Sequence, residues 1–133
     1  MTRQIIRTAD APSSLLFSQA VKVGSTIYVA GTSGIDPRTN QLAGLTIQEQ
    51  TRQALVNCEN ILRAAGARLE HVVEVNVLLA NPNDFPGLND EYAKFFPSDP
   101  PTRAVLKLGV EIPNLLVSIK MTADIRANIN DGN

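Results

Sequence analysis

The chain has 133 residues and a mass of 14.4 kDa, enough for one hydrophobic core and too little for two. Hydrophobic residues at 44% and charged residues at 19% exclude a disordered composition, and 12 Lys+Arg against 13 Asp+Glu leave a net charge of −1, with no broad basic surface for a nucleic acid. No apolar run approaches the roughly 18 residues of a membrane span, and Met1–Arg7 lacks the apolar core of a secretory signal, so a cytoplasmic protein without a membrane partner is expected.

The first third reads as strands. Ser18–Val23 leads through Gly24-Ser25, a hairpin signal, into Thr26–Ala30, and Gly31-Thr32-Ser33-Gly34 ends that strand. Asp36-Pro37-Arg38-Thr39-Asn40 has the chemistry of a turn. Thr46–Ala65 is the clearest helix. Thr46 and Glu49 fit a capping box; Ile47, Ala54, Leu55, Cys58, Ile61, Leu62 and Ala65 form one apolar stripe; Gly66 suits the left-handed stop. His71–Ala80 alternates as a strand, with Val73, Val75, Val77 and Leu79 on one face. A shorter helix then runs to about Phe96, with Pro86 in its first turn and Phe85, Leu88, Tyr92 and Phe95 on one side. Pro97, Pro100 and Pro101 interrupt regular structure before two last strands, Thr102–Leu108 and about Leu116–Ile125. In the latter, Val117, Ile119, Met121, Ala123 and Ile125 face one way and Ser118, Lys120, Thr122 and Asp124 the other. The order predicts an α+β domain over residues 1–126, one layer of helices on one sheet, with 127–133 as a flexible tail. A sheet covered on one face leaves an apolar face to be buried against another subunit.

Residues that could carry chemistry are few. A single cysteine cannot form an internal disulfide or a cysteine-rich zinc site, and a single histidine excludes the usual multi-histidine sites, so neither metal nor cofactor is expected. Cys58 falls in the helix stripe as a packed core thiol, and His71 reads as a solvated loop residue. Gly31-Thr32-Ser33-Gly34 is followed by neither a lysine nor a helix start, which argues against a phosphate loop. Arg103, inside a short strand after prolines, has two readings: a solvated edge residue, or a planar fork for a carboxylate. Lys120 likewise sits in an ordinary solvent-facing row or in the lining of a pocket.

Several segments, in order and spacing, resemble the Rid (YjgF) family of small proteins. They are Ala11-Pro12 with Phe17–Val21, Ile27–Thr32, Gln53–Asn57, Ala64–Gly66, Val73–Val77, Asp84-Phe85 with Leu88–Phe96, and Pro101–Val105 with Glu111–Pro113. The resemblance implies a chorismate-mutase-like fold and a homotrimer whose sheets surround a central barrel, with ligand clefts between subunits. It implies that Arg103 binds a substrate carboxylate, that the Gly31 backbone approaches the ligand, and that Asn89, Phe17, Ala30 and Val105 line the site. One branch of the family, RidA, hydrolyses reactive imines, typically with a glutamate in the last strand that handles the water. Here that place is taken by Lys120; the family's cysteine, tyrosine and serine are replaced by Val105, Phe17 and Ala30. The anchor is kept and the polar groups around the water are largely gone. The expectation is a homotrimer binding a small carboxylic acid, with Lys120 as candidate catalytic residue and a weak or altered imine deaminase activity. Two cations, Arg103 and Lys120, in one pocket would favour a dianionic ligand. The alternatives are a non-catalytic binding or sensing trimer and, third, an endoribonuclease or translation inhibitor, which the charge balance supports little.

Overall fold

The computed structural model describes residues 2–127. Of the expected tail, 127–133, all but its first residue lies outside the described residues. Eight strands and two helices follow in chain order: β1 (Arg3–Ile6), β2 (Ala20–Val23), β3 (Thr26–Ser33), β4 (Ile35–Asp36), β5 (Gln41–Leu42), α1 (Ile47–Ala64), β6 (Val72–Leu79), α2 (Phe85–Phe95), β7 (Thr102–Lys107) and β8 (Val117–Asp124). Six strands form one mixed sheet in the order β1-β2-β3-β8-β6-β7, and β4 and β5 form a separate small hairpin. Only the β6–β7 pair is parallel; the other pairs of the large sheet are antiparallel. The class is α+β, as the element order predicts.

Chain handedness explains why both helices share a face. α1 connects β3 to β6, and α2 connects β6 to β7, and both crossovers step the same way across the sheet. Right-handed crossovers in one direction deposit their helices on one side. The buried row of the sheet meets them there: Ile27 and Val29 of β3, Val75 and Val77 of β6, and Val117, Ile119, Met121 and Ala123 of β8 are all at most 1% exposed. From α1, Ala54, Leu55, Cys58, Ile61 and Leu62 fill the other side, as the stripe in the sequence requires. The capping box forms as expected, with Thr46 Oγ1 accepting from the Glu49 backbone N–H at 3.2 Å, and Gly66 has φ +84°.

Two bulges alter the simple alternation. In β6 the register slips between Val72 and Glu74. Val72 is thereby turned into the core at 6% exposure and Val73 out to solvent at 43%, reversing the expected order of those two residues. In β3 the register slips between Val29 and Thr32, so that Ala30 and Gly31 together face Lys120 and its neighbours. Ile125, expected in the buried row, lies beyond the end of β8 and is 37% exposed.

Buried side-chain amides tie the loops to this core. Gln50, fully buried, donates to the carbonyls of Gly44 and Asn114 and accepts from the Leu116 backbone N–H. Asn57 donates to Ser33 and Ile35. Gln19 holds the 8–19 loop through Thr8, Ala11 and Pro12, which is why β2 starts at Ala20 and not at Ser18.

Glu91 on α2, 3% exposed, joins the helices through Arg52 of α1 at 3.0 Å and takes Lys94 at the same distance. The Arg52 hydrogen bond, against some desolvation, holds the Glu91 carboxyl below its usual range. A depressed folded-state pKa stabilises above the unfolded carboxylate pKa and loses that contribution as pH falls through the folded value. Glu91→Gln is therefore expected to lower stability at pH 7, with the gap from wild type narrowing at pH 3. Urea unfolding at both pH values checks this; a gap of equal size at the two would show that the charge is not what matters.

Candidate functional site

Arg103 lies in β7 opposite Val75 of β6, so it shares the helix-covered side of the sheet. It sits at the margin, where β7 is the last strand, and its guanidinium reaches over α2. Nη1 donates to Asn89 Oδ1 at 2.8 Å. The Cζ atom stands 4.8 Å from the Tyr92 ring centroid and 5.7 Å from that of Phe85. Phe85, Asn89 and Tyr92 are spaced i, i+4, i+7, one face of α2, so a single helix supplies two aromatic platforms and the amide between them. Aromatic faces carry partial negative charge and hold the cation without neutralising it. Among the described residues Arg103 makes no salt bridge. It is exposed, and most of its five N–H donors are free for a planar acceptor.

Tyr92 explains part of this geometry. It is 7% exposed, its ring centroid is 4.9 Å from that of Phe96, and its buried hydroxyl has no hydrogen-bond partner among the described residues. Burial raises the phenol pKa, and the nearby Arg103 charge works in the opposite direction. The ring is thus a neutral platform.

Val105 follows two residues along β7 on the same side, opposite Val77. With Leu79, Pro82, Phe85, Leu106 and Lys107 it lines an open groove of about 400 Å³, which shares Phe85 with the surroundings of the Arg103 guanidinium. Arg103 and Asn89 therefore meet, and Val105 lies on the same side of β7 two residues further on.

Phe17, Ala30 and Gly31 come together elsewhere. They line a cavity of about 140 Å³ with Pro12, Gln19, Thr32 and Ile61. The Ala30 N–H donates to the Gln19 carbonyl at 2.9 Å, and Thr32 Oγ1 donates to the Ala30 carbonyl at 2.7 Å, which fixes the bulge. At Gly31 a Cβ would stand 3.1 Å from Ser118 Oγ, so a larger side chain there would crowd β8. Between β3 and β7 lie β8 and β6, a separation of roughly 14 Å. One chain thus holds two partial sites and does not bring them into contact.

Lys120 is on the opposite face from Arg103. It pairs with Asn76 of β6, whereas the Arg103 row runs through Val75 and Met121. The side chain is exposed on the uncovered face of the sheet. Within a single chain the two cations are not brought together, because alternate residues of a strand point to opposite sides.

Other features of the sequence have structural roles. Cys58 is fully buried, and burial pushes its thiol up to about 12, far from a nucleophile's range. His71, expected as a solvated loop residue, accepts the Arg68 backbone N–H at Nδ1, 2.9 Å away, and closes the turn before β6. Reading the sequence for chemistry overlooked Phe85 and Tyr92 as partners of Arg103; the i, i+4, i+7 spacing around Asn89 is the signal they carry. It also overlooked Leu15 and Leu16, which are fully exposed beside Phe17 at 55%. With Arg7–Ala9 this loop bounds an open concavity of about 800 Å³. Among the described residues no group of three or more His, Cys, Asp or Glu could hold a metal, and no helix is long and apolar enough to cross a membrane.

Comparison with known proteins places the fold and the sequence among known relatives. A family model described as Endoribonuclease L-PSP matches residues 8–125. The 2-iminobutanoate/2-iminopropanoate deaminase of Capra hircus is 44% identical over 110 residues, covering 82% of this chain and 80% of its own. The crystal structure of RidA from the Antarctic bacterium Psychrobacter sp. PAMC 21119 superposes with a TM-score of 0.86 at 35% identity, over 92% of this chain and 99% of that one. E. coli TdcF, crystallised with bound serine, gives a TM-score of 0.84 at 27% identity, over 91% of this chain and 98% of its own.

Proposed function

This chain belongs to the Rid (YjgF) family, and from that premise we propose that it is a homotrimer that binds a small carboxylic acid in clefts between subunits, with a weak or altered imine deaminase activity. The observation that carries the proposal is Arg103: an exposed guanidinium with no acidic partner among the described residues, steadied by Asn89 and two aromatic rings. A cation held in place by neutral groups keeps its charge for an incoming anion. The serine bound by TdcF carries a carboxylate of the kind this fork would take, and the relatives' names specify 2-imino acids.

The two partial sites support a cleft between copies. Arg103 and Val105 lie on the edge strand β7 with Asn89 above them on α2, and the β3 bulge at Ala30 and Gly31, which shares a cavity with Phe17, lies three strands away. A neighbour that brings its β3 bulge to this edge completes one site without any change in either chain. The exposed Leu15 and Leu16, and the uncovered sheet face with Tyr28 at 48%, are apolar surface that such an assembly buries. Three sheets closing their uncovered faces around an axis give the barrel that the family resemblance implies.

In the reaction, Arg103 holds the carboxylate of a 2-imino acid by two parallel hydrogen bonds. Water adds to the C=N carbon, a proton passes to nitrogen, and ammonia leaves, giving the 2-oxo acid. The C=N carbon is already electrophilic, so holding it in place is a large part of the catalysis. Among the described residues no carboxylate contacts Arg103, and Lys120 stands where the deaminating branch has glutamate. A missing acid/base group costs roughly 10²–10⁴ in rate. Lys120→Glu is accordingly expected to raise ammonia release from imino acids generated in situ by an amino-acid oxidase, by a factor within that range. Activity in wild type equal to that of the variant would show that the carboxylate is not the missing part.

A lysine at position 120, where the deaminating branch has glutamate, also favours a second reading, a trimer that binds or senses a small acid without turnover. The same assay separates the two: ammonia release only in the Glu variant makes the natural protein a binder. Light scattering after gel filtration tests the assembly, with three chain masses expected and a single 14.4 kDa species sinking the shared cleft. The family description names a ribonuclease, a weaker reading for a chain of net charge −1; RNA cleavage unaffected by loss of Arg103 would revive it.

A further inference from the structure

We propose that the groove beside Arg103 is a side-chain subsite that selects carboxylic acids with branched or aromatic apolar side chains over the smallest ones and over those with polar or charged ends. The inference rests on the reading of Arg103 as the carboxylate anchor and goes further by naming the substrate class.

The groove begins where the anchor ends. Phe85 both stacks near the guanidinium and lines the groove, so the two share a wall. Val105, the next residue on that side of β7, is roughly 7 Å beyond Arg103 along the strand. A carboxylate on the guanidinium therefore directs a side chain of about four carbons or more toward Leu79, Pro82, Phe85 and Val105. No hydrogen-bonding side chain stands among those four. The volume, about 400 Å³, is that of roughly a dozen waters, far more than a three-carbon acid displaces. Of the residues a neighbouring copy would bring to close the cleft, Phe17, Ala30 and Gly31 have no polar side chain, and Gln19 and Thr32 of the same cavity spend theirs on their own backbone, which leaves the hydroxyls of Ser13 and Ser33.

Lys107 at the far end is the one charged group lining the groove. A lysine near the end of an edge strand is an ordinary guard against strand-to-strand association. Its Cα is roughly 13 Å from that of Arg103, too far for both to hold the ends of a short dicarboxylate. The observations thus favour an apolar monoanion.

The selectivity follows from the transfer of methylenes out of water, each worth about a factor of four in affinity. A hydroxyl placed against these walls loses its water and gains no partner. The test uses 2-oxo acids, the stable products of imine hydrolysis, in calorimetric titrations of the wild-type protein. 4-Methyl-2-oxopentanoate is expected to bind at least tenfold more tightly than pyruvate, and more tightly than 2-oxoglutarate or hydroxypyruvate. Val105→Ser and Phe85→Ser, each with Arg103 intact, are expected to shrink that ratio toward one; circular dichroism confirms that each variant is folded. Should one of them not fold, the ratio in wild type still decides. Equal binding of pyruvate and 4-methyl-2-oxopentanoate, or tightest binding of 2-oxoglutarate, with binding still lost in Arg103→Ala, overturns the subsite and leaves the anchor standing. Binding that survives in Arg103→Ala, or no binding of any acid by the wild type, overturns the anchor and the subsite with it.

Discussion

Replacing Arg103 by alanine is expected to lower affinity for a carboxylate ligand, and kcat/KM for any imino acid turned over, by at least about 100-fold. Two charge-assisted hydrogen bonds to a carboxylate are each stronger than a neutral one, and together contribute roughly 3 kcal/mol or more, a little over two decades. Arg103→Lys keeps the charge and loses the fork. It is expected to recover part of the loss and remain about tenfold or more below wild type, since an ammonium cannot match two carboxylate oxygens in one plane. The fold should tolerate either change. Arg103 is exposed, and its stacking on Phe85 and Tyr92 contributes only about 1 kcal/mol. Titration calorimetry with a thermal melt of each variant checks both halves. A variant that melts like wild type and binds like wild type would remove the basis for the functional account.

Gln50→Leu is expected to have the largest effect on stability, a loss of about 3 kcal/mol and roughly 10 °C in melting temperature. The side chain is fully buried and makes three hydrogen bonds, to the carbonyls of Gly44 and Asn114 and from the N–H of Leu116. Leucine has a similar volume, so packing is nearly kept while three backbone groups lose their partners. Each orphaned group costs on the order of 1 kcal/mol or more. Asn114 has φ +66°, a conformation few residues adopt, and the Gln50 bond is one of the contacts holding the turn that leads into β8. A melting temperature within 2 °C or so of wild type would mean that water replaces the amide.

The parts of the fold that can be read locally are those where one period runs without interruption. α1 has a cap, a stripe and a stop within 21 residues, Thr46–Gly66, and all three form. β8 alternates strictly, and its four inward residues are buried as the pattern demands. Where the period breaks, the sequence misleads. In β6 a bulge at Val73 exchanges it with Val72, because two consecutive valines fit either phase and only pairing with β8 selects one. β1 is too short to show a period, and exists because β2 offers it an edge. The hairpin of β4 and β5, two residues each, depends in the same way on its turn.

The site follows the same division. Arg103 and Asn89 are 14 residues apart, and nothing between them in sequence predicts that they meet; the parallel pairing of β6 with β7 and the return of α2 place one over the other. The resemblance to a family points to both residues, and chain topology explains their contact. Phe17, Ala30 and Gly31 are grouped by the Gln19 hydrogen bonds, which span the whole 8–19 loop. Lys120 can be named from its place in β8, but whether it and Arg103 could share a pocket depends on which face each strand presents, and within one chain they face apart.

By itself, then, the amino-acid sequence determined the class of fold, the main helix, the buried row of the last strand, the inert setting of Cys58 and the family to which the chain belongs. These depend on periodicity, composition and local chemistry, which act over a few residues. Tertiary structure alone decided the bulges, the aromatic cradle of Arg103, the groove beside it and the separation of the two partial sites. Those depend on which strands pair and in what register, and register is set by contacts between residues far apart in the chain, where no local pattern reaches.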